Sequence, residues 1–337
     1  MKIALVGAEC EESLAIRYLE GALRARGHET LILPFNRNGD ADRVAQDLVD
    51  ANVDLAGFSM VFTYRAHEFA RLAVEARWRG FRGPIVAGGH FAAFNAADLL
   101  KDVRAIDAVA IGEGEAILCD LADHLDDFSQ VRGLVWTDPE GRVIHNPAAA
   151  KPADLDTLPH PTHVDPPDHY LGIPIANLLS SRGCTHQCAF CSIAAWHELC
   201  GGKRVRMRSP ANVAAEIALL YNRGYRIFNF HDDNFLLSGT GRALERVQTL
   251  KHELEARAVR RIAFAVKSRP NSVDEGLFRA MKDMGLFRVF VGIEAGTEES
   301  LARLGRRQTV EQNRNALRIL NGLDLHTCFN LLLFNPD

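Results

Sequence analysis

The chain has 337 residues, 39 Lys and Arg against 43 Asp and Glu for a formal net charge of −4, and 47% hydrophobic against 24% charged residues. This is the balance of a globular protein of about two domains, and it excludes a disordered chain, a collagen-like repeat and a disulfide-stapled miniprotein. A near-neutral chain offers no basic face for nucleic acid, so no such partner is expected.

The first apolar run, residues 3–6, is too short for a signal-peptide core, and Glu9, Glu11 and Glu12 follow where small cleavage-site residues would stand. No stretch approaches the ~20 apolar residues of a membrane span, so a cytoplasmic protein is expected. Of seven cysteines, Cys184, Cys188 and Cys191 crowd into eight positions. In a reducing compartment that crowding reads as metal-binding or catalytic.

In chain order, short β-branched runs at 3–6, 30–33, 55–60, 84–87 and 108–111 alternate with amphipathic stretches at 11–26, through Val44 and Leu48, and at 69–78. The alternation predicts an α/β domain, a doubly wound, Rossmann-like parallel sheet of about five strands with ligands at the strands' carboxyl ends. Gly27 supplies a left-handed stop for the first helix. Residues 133–137 and 142–145 flank Asp138-Pro139-Glu140-Gly141 and predict a hairpin that closes this domain at residue 145. Seven of the 13 prolines fall in residues 146–174, where apolar periodicity stops, so that stretch reads as a semi-rigid linker.

From residue 175 to 337 a second β/α series begins. Strands are predicted at 175–180, 227–230, 262–266, 288–292 and 327–334, separated by helices at 211–221, 244–256, 275–284 and 310–320. Repeated units of this kind build a (β/α) barrel or part of one, with chemistry at the carboxyl ends of the strands.

The loop after the first of these strands carries Cys184-x3-Cys188-x2-Cys191. Three thiolates so spaced can ligate three irons of a [4Fe-4S] cubane and leave the fourth iron open for a substrate or cofactor. Two alternatives stand beside this: a zinc site completed by His186, His197 or Cys200, and an electron-transfer cluster completed by Cys200. Cys10, Cys119 and Cys328 are isolated and read as small buried hydrophobes.

This spacing, with Phe190 before the last cysteine and a barrel strand before the first, resembles the signature of the radical S-adenosylmethionine (SAM) superfamily. The resemblance implies that the open iron binds the amino and carboxylate groups of SAM, and that one-electron reduction cleaves SAM to methionine and a 5′-deoxyadenosyl radical. The runs 208–213, 230–235 and 291–296 match the family in order and spacing. By that similarity Asp232, Asp233, Asn234, Arg269 and Glu294 are expected around SAM; the residues alone equally allow Asp232 to Asn234 to cap helices, while Glu294 leans toward function.

In the first domain, residues 86–91 and 111–115 resemble the cobalamin-binding domain found ahead of many radical SAM barrels, and Gly88, Gly89, His90, Gly112 and Glu113 are the residues that this resemblance places at a corrin. Glycines after strands admit a bulky ligand close to the backbone, or simply make tight turns. The Asp-x-His-x-x-Gly sequence that offers a histidine to cobalt elsewhere is absent, the first loop reading Gly7-Ala8-Glu9-Cys10-Glu11-Glu12. The family's barrel usually has about six βα units, whereas five strands are predicted here, so a partial barrel is expected.

The activity implied is that of a cobalamin-dependent radical SAM enzyme, foremost a methyltransferase acting on an unactivated carbon of a small molecule. A cyclase or rearrangement catalyst on the same scaffold, and a non-enzymatic iron–sulfur protein, are the alternatives. A methylthiotransferase fits less well, since only Cys10 and Cys119 precede the linker. The implied partners are a small-molecule substrate and an electron donor such as flavodoxin or ferredoxin. Tyr170, Trp196, His197 and Arg206 read equally as pocket-lining and packing residues.

Overall fold

The computed structural model describes residues 1–236 and 240–333. It divides into two compact units: residues 1–152 with 158–163 and 196–202, and residues 153–157 with 164–195 and the described residues from 203 onward.

The strands of the first unit are β1 (Lys2–Gly7), β2 (Glu29–Pro34), β3 (Leu55–Ser59), β4 (Ile85–Gly88), β5 (Ala108–Ala110), β6 (Leu134–Thr137) and β7 (Val143–His145). They form one sheet in the order β2-β1-β3-β4-β5-β6-β7, parallel through β5 and antiparallel beyond it. Its helices are α1 (Leu14–Ala25), α2 (Ala41–Asp50), α3 (Ala66–Trp78), α4 (His90–Phe94), α5 (Ala96–Asp102) and α6 (Gly114–Asp123). Alternation along β1 sends Ala4 and Val6 to a core with Val44, Leu48, Phe69 and Leu72, and Ile3 and Leu5 to a second core with Ile16, Leu23, Ile117 and Leu121. Both faces are therefore covered by helices, and the sheet changes direction between β1 and β3, where such sheets open a crevice at their carboxyl edge.

The sequence reading missed α4 and α5, which span only five and seven residues, too few turns to show a period. It also missed α6, whose start lies in the glycine-containing run assigned to ligand approach. The helix predicted from residue 11 begins at Leu14, and Gly27 has the expected left-handed backbone, φ 82°.

The second unit holds β8 (Asp168–Tyr170), β9 (Ile173–Leu178), β10 (Ser181–Arg182), β11 (Arg206–Met207), β12 (Ile227–Phe230), β13 (Ala263–Ser268), β14 (Leu286–Val291) and β15 (His326–Cys328). Five of them pair in parallel in the order β15-β14-β13-β12-β9, with β8 antiparallel on the β9 edge. The remaining helices are α7 (Ser192–Cys200), of which residues 196–200 belong to the first unit, α8 (Pro210–Asn222), α9 (Thr240–Ala256), α10 (Glu275–Met284), α11 (Glu298–Arg303) and α12 (Val310–Gly322). Phe228, Phe264, Val289, Phe278, Met281 and Leu320 lie in the core between strands and helices. Ser209 caps α8 by accepting from the Asn212 amide, Pro210 takes the first helical position, and Gly285 ends α10 in the left-handed region. The last strand, predicted to Phe334, is observed at His326–Cys328, and the predicted range runs beyond the described residues.

The proline-rich stretch is anchored at several points along its length. In the first unit the Thr162 amide donates to the Arg17 carbonyl, the Thr162 hydroxyl donates to Glu20, and His163 Nδ1 lies 3.0 Å from Glu12 Oε1 with both side chains buried. The carbonyl of His160 lies so close to α1 that a Cβ on Gly21 would come within 2.7 Å of it. In the second unit Asp156 accepts from the Ser209 amide, the Tyr225 hydroxyl donates to the Val164 carbonyl at 2.6 Å, and residues 168–170 form β8. Prolines erase periodicity and remove amide donors, so the local pattern reads as a spacer; the anchors are side chains distant in sequence.

Candidate functional site

The cysteine loop leaves β9 through Leu179, Ser180 and β10, and its stem is held by buried polar groups. Asp232, fully buried after β12, accepts from the Ser180 amide at 3.0 Å, the Ser180 hydroxyl at 2.7 Å and the Ser181 hydroxyl. Asp233 accepts from the amide of Gly183, whose φ of 96° turns the chain into the loop. Burial pushes both carboxyls above their usual range. The structure therefore gives Asp232 and Asp233 a definite part: they fasten the base of the cysteine loop.

Asn234 donates to the Leu236 carbonyl at 2.9 Å, while its Oδ1 is buried without a hydrogen-bond partner among the described residues. Glu294, just beyond β14, has φ 62°, rare for a residue with a side chain, and its Oε1 lies 3.9 Å from Arg306. Its backbone is fixed in that shape by the Asn330 carbonyl and the Leu332 amide.

Arg269, expected near SAM, points its Nη1 at the Cys188 sulfur, 3.4 Å away. Arg306 does the same from the loop after α11, also at 3.4 Å. The sequence reading did not single out Arg306; its signal was the Gly305-Arg306-Arg307 run directly after a helix, which by itself looks like a solvated charge cluster. That loop backs onto the cysteines: the Ala189 amide donates to the Leu304 carbonyl, and a Cβ on Gly305 would sit 3.3 Å from the Gln187 carbonyl.

Cys188 is buried and Cys184 and Cys191 are half-buried, and burial pushes the thiols of Cys184 and Cys191 upward. His186 is held down to about 4 by burial and by the arginines 269, 306, 307 and 204, so it is neutral at neutral pH. Among the described residues no three His, Cys, Asp or Glu side chains converge on one ion position. A cubane places each thiolate on a different iron, so its ligands need no such convergence, whereas a structural zinc needs four. Three soft thiols on one loop and two cations facing one of them fit an anionic cluster, and the unsatisfied Asn234 oxygen fits a hydrogen-bond donor of a further ligand. Among the other residues considered for the pocket, Tyr170 packs 6.1 Å from the Phe287 ring and Arg206 is 1% exposed.

In the first unit the candidate residues gather at the carboxyl ends of β4 and β5. Gly89, φ 94°, lies where a Cβ would be 3.0 Å from the Met60 carbonyl, so the loop after β3 requires glycine there. Gly88 is different: an added Cβ would meet nothing closer than Ala110, at 3.9 Å. His90 opens α4 with its ring 4.5 Å from Trp196 and 6.2 Å from Phe94, and burial holds its pKa below the usual value. Gly112 has φ 130° and Glu113 precedes α6. Phe62 and Tyr64, after β3, stack at 5.6 Å and are exposed. Backbone edges, a small residue with open space and exposed aromatics suit a large planar ligand.

Comparison with known proteins agrees with both halves. Residues 3–122 match the B12 binding domain family and residues 178–337 match the radical SAM superfamily. The chain is 28% identical over 342 residues to an uncharacterized methyltransferase of Pyrococcus horikoshii, covering 96% of this chain and 70% of the relative. It is 26% identical over 333 residues to the anaerobic magnesium-protoporphyrin IX monomethyl ester cyclase of Rubrivivax gelatinosus, covering 91% of this chain and 56% of that one, so it spans little more than half of the cyclase's length. Its fold follows the radical SAM methyltransferase TsrM of Kitasatospora setae, solved with cobalamin and a [4Fe-4S] cluster, with a TM-score of 0.78 at 20% identity over 98% of this chain and 69% of that one. No described helix is long and apolar enough to cross a membrane. The chain thus carries a B12-binding domain over residues 3–122 and, after it in sequence, a radical SAM domain over residues 178–337.

Proposed function

We propose that the chain is the cofactor-bearing core of a cobalamin-dependent radical SAM methyltransferase that modifies an unactivated carbon of a small molecule. The observation that carries this is the pairing in one chain of a three-cysteine loop at a parallel strand's end with a glycine-edged B12-type sheet. When bound, the cluster, SAM and cobalamin supply hydrogen abstraction and the methyl group.

The protein's own part is placement. Cys184, Cys188 and Cys191 would hold the cluster, Asp232 and Asp233 fix the loop that carries them, and Asn234 and Glu294 would present oxygens to the ammonium end of SAM. Gly88, Gly89, Gly112, Glu113 and His90 would border the corrin. The chemistry requires a low-potential electron donor, a flavodoxin or ferredoxin, and with it the cytoplasm.

The experiment is product analysis on the reconstituted, reduced protein with candidate substrates. S-adenosylhomocysteine formed together with 5′-deoxyadenosine is the expected result. 5′-Deoxyadenosine alone would favour the cyclase reading, for which the similarity to the Rubrivivax enzyme speaks. Formation of neither product by the cluster-loaded, reduced protein with SAM, in the presence or absence of candidate substrates, would overturn the enzyme reading.

A second prediction separates ligand approach from simple turn-making in the first unit. Because the protein leaves space beside Gly88, Gly88→Leu is expected to fold normally and to bind hydroxocobalamin at least about tenfold more weakly, the scale of one over-packed contact. Visible absorbance retained after gel filtration reads this directly, and unchanged retention would place the corrin elsewhere.

A further inference from the structure

Arg269 and Arg306 are each 5% exposed, and each aims a guanidinium nitrogen at the same sulfur, Cys188 Sγ. Their orientation is enforced. Arg269 Nη2 donates to the Arg306 carbonyl and to Gln308 Oε1 at 3.2 Å. Arg306 Nη2 donates to the Gly292 carbonyl at 2.5 Å, and a Cβ on Gly292 would stand 2.7 Å from that nitrogen, so glycine there leaves the guanidinium its place. Gln308 is itself fixed: it donates to the Ile293 carbonyl and to Asn313 Oδ1.

The charges around this pair do not balance. Among the described residues Arg269 makes no ion pair, and the carboxylate that Arg306 approaches is Glu294, 3.9 Å away. Burying two guanidiniums against one sulfur is costly unless an anion faces them. The group they face is a cluster ligand on the proposed reading. Cluster potentials respond to net charge and to hydrogen bonds at the sulfurs.

We propose that Arg269 and Arg306 raise the reduction potential of the cluster by fixing two positive charges against the Cys188 sulfur. The inference rests on the cluster assignment made above and adds a role for two residues of this chain. Reduction brings one electron from a low-potential donor and leaves one more negative charge on the cluster. A fixed cation stabilises the reduced state more than the oxidised state, and weak solvent screening at this burial preserves the effect. Neither arginine need touch the reacting atoms; they act as positioning residues through the cluster.

The test is an EPR-monitored redox titration of the anaerobically reconstituted full chain with dithionite, comparing wild type, Arg306→Met, Arg269→Met and Arg306→Lys. Methionine keeps the apolar bulk and removes the charge; lysine keeps the charge. Each methionine variant is expected to show an about tenfold smaller ratio of reduced to oxidised cluster at a fixed potential, equivalent to about 59 mV for one electron. Arg306→Lys is expected to titrate close to wild type. Methionine variants that titrate with wild type would overturn the proposal and leave the cluster assignment standing. If Arg306→Met assembles no cluster, Arg269→Met decides by the same criterion. A wild-type chain that assembles no cluster at all would overturn the assignment and this proposal with it.

Discussion

Alanine at Cys184, Cys188 or Cys191 is expected to abolish the [4Fe-4S] EPR signal and all SAM cleavage, whereas alanine at Cys200, Cys119, Cys10 or Cys328 leaves both in place. A cubane held by three thiolates has no ligand to spare, so each loss is complete rather than graded. The informative member of the second group is Cys200, buried at the end of α7 and the one cysteine that the carrier alternative would recruit as a fourth ligand. A Cys200→Ala protein whose cluster signal still shifts on adding SAM has an open iron. A cluster lost in Cys200→Ala, with folding unchanged by circular dichroism, would mean four protein ligands and an electron carrier.

The second large effect is on stability. Arg208 and Glu216 form an ion pair with Nη1–Oε2 at 2.5 Å, their side chains 4% and 1% exposed. Arg208 also donates to the Leu179 carbonyl at 2.8 Å and to Asn212 Oδ1 at 2.7 Å, and its amide donates to the Ser180 carbonyl. Glu216→Ala leaves a buried guanidinium without its carboxylate, a change that costs roughly 3–5 kcal/mol in comparable sites. Urea denaturation is expected to show a correspondingly lower midpoint with little change in slope. The double variant Arg208→Met/Glu216→Leu is expected to recover most of that loss, because two apolar groups of similar volume need no compensation. A single variant as stable as wild type would show that water reaches the pair. Since Arg208 braces Leu179 and Ser180, the single variant also loosens the stem of the cysteine loop, and slower cluster assembly is expected with it.

The layout of strands was readable because β1, β3, β4, β12 and β13 are short runs bounded by turn residues, with helices between them long enough to show a period. The cysteine loop was readable from spacing alone, since three ligands lie within eight residues. What sequence could not convey is convergence. Arg306 reaches Cys188 from more than a hundred positions away, and its neighbours look like an exposed basic run. Asp232 and Asp233 have a composition typical of caps, yet they meet Ser180, Ser181 and Gly183 because β9 and β12 lie side by side. The same limit applies to residues 146–174: proline density describes the chain locally, while Glu12, Glu20 and Tyr225 determine where it is held.

The close passage of the His160 carbonyl over Gly21 bears on how this protein can be engineered. In an ordinary exposed helix, exchanging an internal glycine for alanine is among the safest stabilising changes, gaining up to about 1 kcal/mol. In α1 the same methyl group would act as a wedge, lifting the strand of chain that Glu12 and Glu20 hold down. Helix propensity and tertiary contact thus select opposite residues at position 21, and a design method that scores helices in isolation would choose the wrong one.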